Sequence, residues 1–86
     1  MSILERLIDE RVSDARCSDE SLTVDLMDGR TIVVPLAWFP RLAGATQAQR
    51  ANWQTCAGGY GIHWPDLDED LSTAGLLRGT AAPKAA

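Results

Sequence analysis

His63 is the sole histidine of the chain, and it stands in its densest run of aromatic and acidic residues, Tyr60-Gly61-Ile62-His63-Trp64-Pro65-Asp66-Leu67-Asp68-Glu69-Asp70. Covalent catalysis would need a nucleophile within reach of this imidazole and a third group to orient it. The available nucleophiles are Cys17, Cys56 and the serines, and none is spaced from His63 in a triad pattern. No Gly-x-Ser-x-Gly elbow is present, and neither cysteine opens a helix, the setting that lowers a thiol pKa. Gly58-Gly59-Tyr60-Gly61 lacks the Gly-x-Gly-x-x-Gly spacing of a phosphate loop, and no long helix follows it to hold an anion. No catalytic residue is assigned, and the expectation is a protein that is not an enzyme.

Asp66, Asp68 and Asp70 alternate as they do at the start of a calcium loop. However, Leu71 stands where that loop requires Gly and Leu77 where it requires Glu. Two separated cysteines and one histidine do not make a zinc site either, so no metal and no cofactor are expected. The carboxylates read instead as caps for a last short helix and as partners for arginines. His63 reads as a hydrogen-bonded core residue, with ligand contact as the sharper alternative. Trp38, Trp53 and Trp64 suit a core, each able to bury about 150–250 Å². They also suit an interface, where aromatic anchors carry much of the binding energy. Tyr60, His63, Trp64, Asp66, Asp68 and Asp70 are therefore the candidate partner-binding residues. The alternative is a small-ligand or metal-binding domain using the His63–Asp70 segment.

The elements that must position these groups follow from periodicity. Leu22, Val24 and Leu26 alternate with polar residues as in a half-buried strand. Asp28-Gly29 signals a hairpin of type I′, and Thr31-Ile32-Val33-Val34 is the returning β-branched strand. A strand around Val12–Cys17, turned by Ser18-Asp19-Glu20, completes a meander. Pro35 ends the third strand, and Pro40 fits the first turn of a short helix over about 38–43. Thr46 and Gln49 form a capping box at the start of a second short helix. Trp53, Thr55 and Ala57 alternate, and with Gly58-Gly59 and residues 60–64 they read as a further strand of the sheet with a glycine bend. Ser72 caps a final helix over Thr73–Arg78, closed by Gly79. Residues 3–12 carry helical spacing behind Ser2 and Glu5, although a frayed end or a strand fits them equally. Residues 80–86 are small and polar, which predicts a disordered tail.

Length and composition set the outer limits. The chain has 86 residues, 45% hydrophobic and 23% charged, as for one folded domain over residues 1–79. Twelve acidic against eight basic residues give a net charge of −4. Such a field repels a polyanion, so no direct nucleic-acid binding is expected, and it favours a basic protein partner. The start of the chain is charged and amphipathic rather than a leader, and no apolar run reaches the roughly 20 residues of a membrane span. A cytoplasmic, membrane-free protein with two reduced thiols is expected. Homo-oligomerisation is left open.

The phrases DGRTIVVPLAWFPRLAGAT, QRANW, GGYGIHWPDLDEDLS and GLLRG closely resemble family 2442 of the domains of unknown function (DUF2442). The resemblance runs from about Asp14 to Gly79. It implies an α+β fold found in small bacterial and phage-type proteins, with no established activity or catalytic residue to carry over. Some relatives append a helix-turn-helix module; with seven residues after Gly79, none is expected here. Others sit beside a small toxin-like protein in the genome. The combined expectation is an α+β domain, a small antiparallel sheet packed against short helices. It would act as a protein-binding module, an antitoxin-like or regulatory partner of a neighbouring small protein.

Overall fold

The computed structural model describes residues 8–79 of the chain. Strands β1 (Val12–Cys17), β2 (Ser21–Leu26) and β3 (Thr31–Pro35) form an antiparallel meander in chain order. Leu22, Val24 and Leu26 of β2 are all buried, while Thr23 and Asp25 face outward, as their alternation predicts. In β1 both Val12 and Ala15 are buried, an odd spacing that a regular strand cannot produce. The register slips between Val12 and Asp14, so a bulge re-aims the strand by one residue.

The β2–β3 turn is built differently from the expected type I′. Only Gly29 has positive φ, at 94°, and Asp28 does not share it. Gly29 N–H donates to Leu26 O at 3.0 Å and Leu26 N–H to Arg30 O at 2.8 Å, a tight turn closed by one left-handed glycine. Gly29→Val should cost roughly 1–3 kcal/mol, because a β-branched residue is forced into that left-handed conformation. A Cβ there would meet nothing within 4 Å, so backbone strain is the whole effect. An unchanged denaturation midpoint would refute it.

Beyond Pro35 the chain makes a single 3-10 turn at Leu36–Trp38 and then α1 (Pro40–Ala43), with Pro40 at its first position. Helix α2 (Gln47–Ala51) opens with the complete capping box. Gln49 N–H donates to Thr46 Oγ1 at 3.1 Å, and Thr46 N–H to Gln49 Oε1 at 2.9 Å.

The segment read as one further strand forms a second sheet of its own. β4 (Gln54–Cys56), β5 (Gly61–Trp64) and β6 (Glu69–Ser72) are again an antiparallel meander in chain order. Strand β6 lay hidden because Leu71 is its only apolar residue, too little alternation to register. Helix α3 (Thr73–Arg78) follows, with Ser72 Oγ accepting from Gly75 N–H at 3.0 Å and Gly79 left-handed at φ 82°. The molecule is thus α+β with two small sheets rather than one. A single core joins them, with Leu22, Val24, Leu26 and Val34 from the first and Ile62 and Trp64 from the second. Leu36, Phe39, Leu42 and Leu76 fill the space between helices and sheets.

The predicted helix over residues 3–12 lies in part outside the described residues, and the tail over residues 80–86 lies wholly outside them. From Ile8 to Arg11 the chain is irregular, and Val12 already opens β1. What holds this stretch is the hairpin tip. Asp28 accepts from Asp9 N–H at 3.0 Å, from Arg30 Nε at 3.0 Å and from Arg30 Nη2 at 2.8 Å. Asp9 in turn accepts from Arg11 Nη2 at 2.6 Å, and Arg30 also reaches Glu10 at 3.5 Å. These guanidiniums hold the Asp28 and Asp9 carboxyls below the ordinary carboxylate range, and Arg16 does the same for Asp25. A depressed folded-state pKa contributes stability that is present above the unfolded value, about 4, and lost as pH falls through the folded one. Glu69 acts in the opposite sense, since burial raises its carboxyl, but it is one group against three. The melting midpoint should therefore be flat between about pH 5 and 7 and fall below about pH 4, less steeply in Asp28→Asn. A midpoint that rises on acidification would contradict the assignment.

Candidate functional site

Strand β5 decides where the singled-out residues lie. Its even positions, Ile62 and Trp64, point inward and are fully buried, whereas His63 is on the opposite face. Trp64 is thus corrected from partner anchor to core residue. Its indole Nε1 donates to Arg50 O at 3.0 Å, which satisfies the one polar atom the burial would otherwise strand. Trp38 and Trp53 pack half-buried against the same core.

On the outer face His63 opposes Gln54 on β4 and Asp70 on β6. Its Nδ1 lies 2.5 Å from Asp70 Oδ1, a direct cross-strand pair. His63 is therefore a surface hydrogen-bonding residue rather than a core one. Asp66 and Asp68 sit in the β5–β6 turn, so they do not cap α3. Asp66 accepts from Asn52 Nδ2 at 3.0 Å, and Asp68 takes a left-handed φ of 50°, which Asp tolerates better than most residues. Arg41 approaches this turn but donates to the carbonyl of Asp68, at 2.5 Å, and not to a carboxylate. Among the described residues, no Arg or Lys forms an ion pair with Asp66, Asp68 or Asp70. The predicted arginine pairing occurs at other aspartates, Asp9, Asp14, Asp19, Asp25 and Asp28.

Tyr60, 51% exposed, lies at the opposite end of β5 from Asp66 and Asp68. Four strand residues separate them, roughly 13 Å at the usual rise. Adjacency in sequence therefore overstated the face: the structure joins His63 to Asp70 and leaves Tyr60 apart from the acidic turn. Among the described residues no group of His, Cys, Asp and Glu is arranged to hold a metal ion. Cys56 Sγ lies over Gly61, where an added Cβ would come within 2.9 Å of it. Cys17 is half-buried, and that burial pushes its thiol above the ordinary value against the opposing pull of Arg50.

One concavity escaped the sequence altogether. A groove of about 300 Å³ runs between β1 and α2, lined by Arg16, Cys17, Gln47, Arg50, Ala51 and Trp53 among others. These residues span almost forty positions and share no motif. Only Cys17 and Trp53 attract notice by type.

A small α+β domain of two three-stranded meanders, with an acidic turn at one end, is the class the geometry defines. The chain belongs to the family described as protein of unknown function (DUF2442), whose model matches residues 12–82. It is similar to a protein of unknown function from Rhodospirillum rubrum, solved by crystallography. The two share 36% identity with a TM-score of 0.73, covering 86% of this chain and 92% of that one. An uncharacterized protein from Chromobacterium violaceum, solved by NMR, shares the fold at 22% identity and a TM-score of 0.71, over 86% of this chain and 70% of that one. None of the curated proteins matches. No helix among the described residues is long and apolar enough to cross a membrane.

Proposed function

We propose that this protein is a non-catalytic binding module that docks on a basic protein through the β5–β6 turn, as the antitoxin-like or regulatory partner of a small neighbouring protein. The observation that supports this reading is the charge left unanswered there. Asp66, Asp68 and Asp70 are exposed, and among the described residues none has an Arg or Lys ion-pair partner, Asp70 meeting only His63, while five other aspartates are paired with arginine. Exposed carboxylates with no guanidinium or ammonium held against them steer a cationic surface toward the turn. The test is co-expression with the protein encoded beside it, followed by sizing of the purified complex and binding measured across a salt series. A stoichiometric complex is expected, associating more slowly as salt rises. Reversal of Asp66 and Asp68 to lysine should weaken it at least tenfold, on the order of 1.4 kcal/mol. A complex indifferent to both salt and charge reversal, or no complex at all, would sink the proposal.

A further inference from the structure

We infer that the groove between β1 and α2 is a binding site for a small organic carboxylate with an apolar body. The inference stands apart from the docking reading, since none of the groove's residues belongs to the β5–β6 turn. Its volume of about 300 Å³ lies at the lower edge of the range typical of ligand pockets, about 300–1,000 Å³. In a chain of net charge −4, the described residues of its lining hold two guanidiniums, Arg16 and Arg50, and no carboxylate.

The two arginines differ. Arg16 is exposed and already paired with Asp25 at 2.8 Å. The Arg50 side chain is only 10% exposed, and its one carboxylate partner among the described residues is Asp19 at 3.4 Å, which is itself 83% exposed. Arg50 Nε donates to Leu42 O at 2.8 Å and Nη2 to Ala43 O at 2.9 Å, so the guanidinium is held rigid before any ligand arrives. Of the five N–H donors of a guanidinium, these two bonds and the one to Asp19 use three. The remaining two sit on the terminal nitrogens, the positions from which arginine grips a carboxylate. Beside them the Gln47 amide can add a further hydrogen bond. Trp53, Cys17 and Ala51 supply the apolar and polarisable wall that an aliphatic or aromatic body would cover. Cationic fork, amide and indole together describe a carboxylate with an apolar tail better than a bare inorganic anion, which would leave the wall uncovered.

Cys17 provides the readout, because it lines the groove, and Cys56 on the second sheet is an internal reference that does not. The experiment is alkylation of the whole protein by N-ethylmaleimide, with each cysteine followed by mass spectrometry. The probes are benzoate, benzyl alcohol as its uncharged analogue, and inorganic phosphate. A ligand of benzoate's size should half-protect at on the order of 1 mM. At ten times that concentration, occupancy near nine-tenths slows Cys17 roughly tenfold and leaves Cys56 unchanged. Benzyl alcohol and phosphate should protect far less. Ala51→Leu, at an exposed position of α2, fills the groove and should abolish protection. The inference fails if benzoate gives no protection up to about 100 mM. It also fails if benzoate slows both cysteines alike, or if benzyl alcohol or phosphate matches it. These comparisons use the unmodified protein and stand whether or not the Ala51→Leu variant folds.

Discussion

Trp64→Ala is expected to remove a large share of the stability of this domain, with a loss of about 3–5 kcal/mol. A chain of this length has only about 4–13 kcal/mol in total. Trp64 is the largest fully buried side chain, and it lies on the inner face of β5 where both sheets meet the core. The indole also has a second task. Helix α2 ends at Ala51, so the carbonyl of Arg50 is one of its terminal acceptors with no partner inside the helix. Trp64 Nε1 supplies that partner. Trp64→Phe therefore separates the two contributions, keeping most of the packing and losing the hydrogen bond, for about 1–3 kcal/mol. Denaturant titration of both variants checks the ranking. Equal losses for Ala and Phe would mean that packing of the ring contributes nothing beyond the bond.

Arg50→Met is the second large effect, at about 2–4 kcal/mol. The Arg50 carbonyl receives the indole of β5, while its guanidinium donates to the last carbonyls of α1, at Leu42 and Ala43. One residue thus fastens α1, α2 and β5 together, and its side chain has little access to water that could replace the lost bonds. Arg50→Lys should recover little, because an ammonium cannot span two carbonyls and Asp19 in a fixed plane. Arg41→Met, which gives up a single bond on an exposed surface, should cost about 1 kcal/mol or less. A loss at Arg50 no greater than at Arg41 would show that the fastening is idle.

How far these features were legible depends on the range of the forces behind them. The first meander was readable because alternation in Leu22–Leu26, a Gly in the turn and β-branched residues after it are all local signals. The same holds for the Thr46–Gln49 box and the Ser72 and Gly79 caps. The turn type was not, because Asp28 is drawn to Asp9 and Arg30 rather than to the conformation its dipeptide prefers. Strand β6 was missed because its pairing with β5, not its own pattern, makes it a strand. Within the candidate site, periodicity could have sorted Trp64 from His63, since the two are neighbours on a strand and must face opposite ways. The groove was out of reach of any such reasoning, being assembled from β1 and α2 across the gap that the fold closes.

Both sheets list their strands in chain order, and every strand pair is joined by a short connection. The search that dominates the folding time of most β-rich proteins is the closing of long loops before distant strands can pair. Here each hairpin closes over a few residues, and only the meeting of the two meanders through Trp64 and its neighbours requires a distant encounter. The expected course is rapid, with local hairpins forming in about 1–10 μs and their docking as the step that sets the rate. Because the central strands β2 and β5 each find both partners within a few residues, the folding chain passes through little of the half-formed sheet that leads larger β-proteins to aggregate.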